Sequence, residues 1–168
     1  SLPAPVAGWN ARDPISAMDP KDAVFMDNWF PRTTTVAVRD GYTSHVTGFG
    51  AAVETLMVYN SASTSKLFAA SGTSFYDATT PGAVGAAVVT GLINARWQHV
   101  NTSTTAGSYL YAVNGVDKPR LYDGATWTAI DGASVPAITG VTTTNLIHVN
   151  VWKNRVWFVE KSSLRVWF

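Results

Sequence analysis

The chain has 168 residues, 46% of them hydrophobic and only 14% charged, with a formal net charge of +1. That length allows one domain or slightly more, and the near-neutral balance excludes a field strong enough to make nucleic acid or an anionic membrane the main partner. No Cys is present, which excludes disulfides, thiolate chemistry and Cys-ligated zinc, and no apolar run approaches the roughly 18 residues of a membrane span. Seven Trp, six Tyr and seven Phe supply enough apolar area to offset chain entropy, so the chain is not read as disordered.

Residues 1–45 read as an extended N-terminal arm with turns. The start, Ser1-Leu2-Pro3-Ala4-Pro5, has no initiator Met, basic region or apolar stretch. It is therefore no signal peptide, and the sequence reads as a segment of a longer chain. Much of the charge lies here, in Arg12-Asp13-Pro14, Asp19-Pro20-Lys21-Asp22 and Asp27-Asn28-Trp29-Phe30-Pro31-Arg32. The prolines push the residues before them toward extended or turn conformations. One short helical turn is expected through Ala23, Val24, Phe25 and Met26, capped by Asp19 or Asp22, with Pro20 tolerated at its first position. Trp9, Phe25, Trp29 and Phe30 either pin the arm onto the remainder of the chain or reach a neighbouring subunit. On the second reading Trp9, Arg12, Asp13, Asp27, Trp29 and Phe30 are the candidate subunit-interface residues, because interfaces concentrate aromatics and Arg.

From residue 46 the sequence repeats. Val46-Thr47-Gly48-Phe49, Val89-Thr90-Gly91-Leu92 and Ile138-Thr139-Gly140-Val141 share one pattern. Each is followed by a short strand ending in Asn: Met57–Asn60, Gln98–Asn101 and Ile147–Asn150. Next come hairpin patterns starting at Leu67, Leu110 and Val156 and running to Phe75-Tyr76-Asp77, Leu121-Tyr122-Asp123 and Val166-Trp167-Phe168. Ser71-Gly72 and Asn114-Gly115 tolerate positive φ and mark turns. The second unit adds a last strand, Thr126–Ile130. Ala83–Val89, interrupted by Gly85 after Pro81-Gly82, reads as a loop entering a strand. No window keeps a helical apolar period.

The expected fold is therefore all-β: a partial β-propeller of three blade-like units, 46–88, 89–137 and an incomplete 138–168, behind the arm. The repeat length falls within the roughly 40–50 residues of propeller blades. A three-unit β-sandwich is the alternative. Three units leave exposed edges, so either more chain or another subunit completes the packing.

The order Gly8-Trp9-Asn10-Ala11-Arg12-Asp13-Pro14, Asp22-Ala23-Val24, Asp27-Asn28-Trp29-Phe30-Pro31 and Arg39-Asp40-Gly41-Tyr42 resembles the N-terminal region of bacteriophage virion structural proteins of the tail nozzle (tail tubular protein B) group of short-tailed phages. The resemblance covers about the first 45 residues by motif and the rest by blade-like pattern. It implies β-propeller domains, a homo-oligomeric ring at the tail end, contacts with other tail or head-to-tail proteins, and transient passage of double-stranded DNA. It implies a virion location and no catalytic residues. Weak attraction to phosphates would suit such a passage, because a strongly basic wall retards a sliding polyanion.

A search for chemistry yields little. His45, His99, His148, nine Asp, Glu54 and Glu160 are the acid and base inventory. His99 and His148 occupy the same repeat position and could both line a central channel, yet one imidazole per unit without carboxylate neighbours makes a poor metal site. Tyr122-Asp123-Gly124-Ala125-Thr126-Trp127 resembles the Asp-box of sialidase-type propellers, where that motif shapes a turn. Catalysis there needs an arginine cluster, whereas Arg96, Arg120 and Arg155 are scattered. The sequence thus calls for no enzyme, metal, cofactor or membrane insertion. Its alternative function is a carbohydrate-binding, lectin-like propeller module using Trp97, Trp127, Trp152 or Trp157.

Overall fold

The computed structural model describes residues 3–168; Ser1 and Leu2, the start of the expected arm, lie outside the described residues. The chain divides into two compact units, the first reaching to Thr43 and the second Ser44–Phe168. Both are all-β: the described residues form short strands and two 3₁₀ turns, with no α-helix among them.

In the first unit β1 (Gly8–Trp9) pairs in parallel with β2 (Asp22–Ala23). β3 (Trp29–Pro31) and β4 (Val36–Val38) form a hairpin whose turn is closed by the Arg32 N–H donating to the Thr35 carbonyl at 2.7 Å. The helical turn expected over Ala23–Met26 is absent. A 3₁₀ turn forms instead at Ile15–Ala17, directly after Pro14. Pairing explains the difference: Ala23 lies in β2, where its carbonyl accepts from the Asn10 N–H at 3.0 Å. Asp19 caps only a local turn, accepting from the Lys21 N–H at 2.8 Å.

The second unit begins with β5 (Val46–Thr47), followed by β6 (Val53–Asn60), β7 (Ser65–Ser71), β8 (Ser74–Asp77), β9 (Gly82–Ala83) and β10 (Ala87–Val89). Strands β6, β7, β8 and β10 form the first sheet, antiparallel in that order. β5 and β9 make a separate parallel bridge. The second sheet is an antiparallel meander of β11 (Gln98–Thr104), β12 (Gly107–Val113), β13 (Arg120–Tyr122) and β14 (Trp127–Ala129). The third is β15 (Leu146–Trp152), β16 (Arg155–Glu160) and β17 (Val166–Trp167), with the same order of pairing. None of these sheets closes on itself. The first strands lie side by side, β11 approaching β6 and β15.

Alternation along the strands gives each sheet two faces. On β12, Leu110 and Ala112 point to one side and join Met57, Tyr59, Phe68, Ala70 and Phe75 of the first sheet in one buried cluster. Tyr111 and Val113 point to the other side, where Val113 is buried with Leu146, Val149 and Phe158 of the third sheet and Tyr111 packs against them. The second sheet is thus apolar on both faces because it is covered on both.

The hairpin alignment starting at Leu67, Leu110 and Val156 describes this stacking. Leu110 with Ala112, and Val156 with Phe158, lie on the face turned toward the preceding sheet. Phe68 with Ala70, and Tyr111 with Val113, lie on the face turned toward the following one. The third strand obeys the same rule, with Tyr122 packed against the first sheet and Trp167 against the second. Each inter-sheet contact is the same pair of faces used again.

Turn chemistry differs among the units. Ser71-Gly72-Thr73-Ser74 is a tight turn with Gly72 at φ +57°. Asn114-Gly115 instead opens a longer connection in which the Asn114 side-chain oxygen accepts from the Val116 and Asp117 N–H groups at 3.1 and 2.7 Å. Gly115 has φ +75°, and a Cβ there would stand 2.5 Å from the Ile147 side chain, so this loop is seated tightly against β15.

Candidate interface surfaces

The six candidate interface residues all belong to the first unit, and the structure brings four of them together in two pairs. Arg12 and Asp13 form a forked ion pair, Nε to Oδ1 at 3.0 Å and Nη2 to Oδ2 at 3.2 Å. Asn10 organises it: its amide donates to Asp13 Oδ2 at 2.9 Å and to Asp22 Oδ2 at 2.7 Å, while its oxygen accepts from the Arg12 and Asp13 N–H groups. Hydrogen bonds from Arg12 and then Asn10 hold the Asp13 carboxyl below its ordinary pKa. The motif Asn10-Ala11-Arg12-Asp13 is therefore a polar loop tied to Asp22 through Asn10, with an exposed guanidinium.

Asp27 and Trp29 come together instead around a cleft of about 390 Å³ whose lining also includes Phe25, Met26 and Val36. Trp9 is fixed through its indole N–H, which donates to the Val24 carbonyl at 3.1 Å, but it stays 65% exposed. Phe25, Trp29 and Phe30 are exposed as well. Trp29 and Phe30 are adjacent on β3 and so point to opposite sides, paired with Val38 and Ala37 respectively. This unit presents aromatic side chains outward, which is the property an interface requires.

In the second unit the histidines do not converge. His99 lies opposite Ala112 and so on the face turned toward the first sheet, whereas His148 lies opposite Val159 on the outer face of the third sheet. His99 stands five positions before the last pair of its hairpin, Thr104 with Gly107, and His148 four positions before Trp152 with Arg155, and this one-residue difference reverses the facing expected from their shared repeat position. His45 is engaged with the Ala78 carbonyl at 3.0 Å. Surrounding protein lowers the His99 pKa by desolvation although the residue is solvent-accessible. No group of three or more His, Asp or Glu with metal-binding geometry occurs among the described residues.

The Asp-box-like stretch is the turn between β13 and β14. Asp123 Oδ1 accepts from the Thr126 and Ala125 N–H groups at 2.7 and 2.8 Å, and the Thr126 hydroxyl reaches Oδ2 at 3.3 Å. These bonds lower the Asp123 pKa and serve the turn. The arginines have separate surroundings: Arg96 pairs with Glu54 at 2.9 Å, Arg120 is partly enclosed with Asp117 nearby, and the Arg155 guanidinium stands 4.9 Å from the Phe168 ring centre.

Of the four tryptophans named from sequence, Trp97 is buried edge-on against Phe75 at 4.9 Å, and Trp127 packs against Phe68 and Tyr122. Trp152 and Trp157 meet at 6.0 Å on the third sheet. Sequence reasoning did not single out the ledge that they make with Phe168, which lies 4.8 Å from Trp157. Its signal was the density of aromatic residues in these strands, Trp152 and Trp157 on one hairpin and Trp167-Phe168 on the next strand.

The chain matches no protein-family model, no curated protein and no solved structure.

Proposed function

We propose that this chain is a non-enzymatic structural component of a bacteriophage virion, part of a tail nozzle or similar tail-end ring, and that its three sheets are successive blades of a partial β-propeller. The observation carrying this reading is the stacking of three consecutive antiparallel meanders through equivalent faces. Blades related in this way propagate around an axis on which their first strands lie. The outward aromatics of the first unit support assembly through subunit contacts, with partners being further copies and neighbouring tail or head-to-tail proteins. A net charge of +1 suits a wall past which double-stranded DNA slides. Immunogold labelling of tailed particles with antibody to this chain tests the reading: label at the tail end is expected, and unlabelled particles would overturn it.

A carbohydrate-binding propeller module is the second reading, favoured by the exposed indole of Trp152, over which Lys153 Nζ stands at 4.6 Å from the ring centre. Saturable binding on a glycan array, lost in Trp152→Ala, would select it.

A further inference from the structure

The outer face of the third sheet departs from its counterparts at one position. By the hairpin alignment Phe68, Tyr111 and Trp157 are equivalent, and each stands opposite a residue on the first strand of its own sheet. For Phe68 that residue is Met57 and for Tyr111 it is Val100, both apolar and packed into the clusters that join successive sheets. For Trp157 it is Asn150, which is polar and exposed. The Asn150 oxygen accepts from the Val151 N–H at 2.8 Å, and its amide hydrogens reach no protein acceptor among the described residues.

Around that amide the end of the hairpin gathers three rings and two cations. Trp152 meets Trp157 at 6.0 Å with the rings inclined by 62°, and Phe168 follows at 4.8 Å and 38°. Lys153 Nζ stands 4.6 Å from the centre of Trp152, and the Arg155 guanidinium 4.9 Å from that of Phe168. Both cations are exposed, and neither belongs to an ion pair among the described residues. The sequence has no Asp or Glu between Asp131 and Glu160, and Glu160 is engaged by the Trp167 indole and Arg165. Arg155 and Phe168 also edge a cleft of about 560 Å³ lined by Tyr111, Ile138 and Thr139, so the ledge ends in a concavity.

These groups select a ligand by chemistry. Aromatic rings take the C–H face of a sugar, and a free amide donates to its ring and hydroxyl oxygens. Two cations without carboxylate partners call for an anion, and the planar guanidinium fork matches a carboxylate. Successive nucleobases stack on ring faces and would need those faces parallel, which the inclinations of 62° and 38° do not provide.

We infer that this ledge binds an acidic oligosaccharide whose sugar rings carry carboxylates. Trp152 and Trp157 receive the sugar faces, Asn150 donates to sugar oxygens, and Arg155 with Lys153 pairs with the carboxylates. The inference rests on the carbohydrate reading of Trp152, whose ligand class it names, and not on a place in a virion.

An array of neutral, sulfated and uronate-bearing glycans probed with the whole chain tests it, with titration calorimetry of any uronate glycan bound, of its neutral methyl ester and of an oligothymidylate. Binding of uronate glycans is expected. Methyl esterification, Arg155→Gln and Trp152→Ala are each expected to weaken it by roughly tenfold or more, with the circular dichroism of the parent retained. Lys21→Gln removes the same charge in the first unit and is expected to bind like the parent. Binding confined to neutral or sulfated glycans, or equal affinity for the methyl ester, would overturn the inference and leave the carbohydrate reading standing. An array without binding would overturn both. Parent-like binding by Arg155→Gln, weakening by Lys21→Gln, or tighter binding of the oligothymidylate than of any glycan would overturn the inference as well.

Discussion

Asn101 ties the first strand of the second sheet to the first strand of the first sheet: its side-chain amide donates to the Val58 carbonyl at 2.6 Å, and its oxygen accepts from the Asn60 N–H at 3.3 Å. The bond spans 43 residues of sequence and satisfies a strand edge that would otherwise be unpaired. Removing one side-chain partner of this kind costs about 1 kcal/mol, so Asn101→Ala should lower the thermal midpoint by about 2–4 °C for a chain of this size. Asn150, at the corresponding sequence landmark, accepts only from the neighbouring Val151 N–H. Asn150→Ala should leave the midpoint within about 1 °C under the same conversion; equal effects in calorimetry would contradict the distinction.

The contact between the first two sheets is centred on Phe68, 1% exposed, with Tyr122 and Trp127 around it at 4.8 and 5.1 Å. Phe68→Ala should destabilise the second unit by about 3–5 kcal/mol through lost burial and the cavity left behind. Urea titration followed by tryptophan fluorescence reads this directly, since Trp97 and Trp127 share the same core.

Gly124 holds φ +101°, and a Cβ there would come within 2.7 Å of the Tyr59 hydroxyl across the same contact. Gly124→Ala therefore combines backbone strain with a steric conflict and should cost about 1–3 kcal/mol. Gly50, where a Cβ would meet nothing within 4 Å and φ is not positive, is the control. Gly50→Ala should change stability by no more than about 0.5 kcal/mol.

Acid should destabilise the second unit through its paired aspartates. Asp123 is held below the ordinary 3.8 by the Thr126 N–H and then the Ala125 N–H, and Asp131 by the Lys118 ammonium and then the Ala133 N–H. For Asp77 burial works against ionisation, but bonds from Thr79 and Lys66 outweigh it, and its pKa is lowered too. Folded values below the unfolded one contribute stability that is present above the unfolded pKa and is lost as pH falls through the folded values. The denaturation midpoint should therefore hold from neutrality to about pH 5 and decline below about pH 4. Asp123→Asn keeps an acceptor for the two N–H groups while removing the charge, so its decline should be shallower; an unchanged slope would assign the acid sensitivity elsewhere.

Substitution of the outward aromatics of the first unit separates packing from interface. Trp29→Ala and Phe30→Ala remove residues that are 49% and 54% exposed, and surface changes of this kind shift stability by about 0.5 kcal/mol or less. The expected result is an unchanged melting curve with reduced incorporation into particles, measured by quantitative immunoblotting of purified virions. A large loss of stability would make these residues packing groups.

The repeat is legible in the sequence because its strands combine two strong signals: apolar alternation, as in Leu110-Tyr111-Ala112-Val113, and turn residues that accept positive φ, as at Gly72. The same alignment carries the facing of the sheets, since a period of two residues assigns sides. Elements of two or three residues are not legible. The parallel bridges of β1 with β2 and of β5 with β9 join segments distant in sequence, which no local pattern encodes. The turn between β15 and β16 places Lys153 and Asn154 at φ +48° and +59°; Lys is not a residue from which that backbone is read. His148 shares its repeat position with His99, but β15 reaches its turn one residue sooner than β11 does, which places it on the opposite face. The candidate interface residues are visible as composition, whereas the ordering of the Arg12-Asp13 loop depends on Asn10 and Asp22 meeting across the chain.

Native mass spectrometry of this protein from its natural source, with a denatured control for the single-chain mass, tests the central claim most directly. The ring account predicts a discrete assembly of several identical copies recovered from purified particles. A monomer at every concentration, absent from particles, would contradict it.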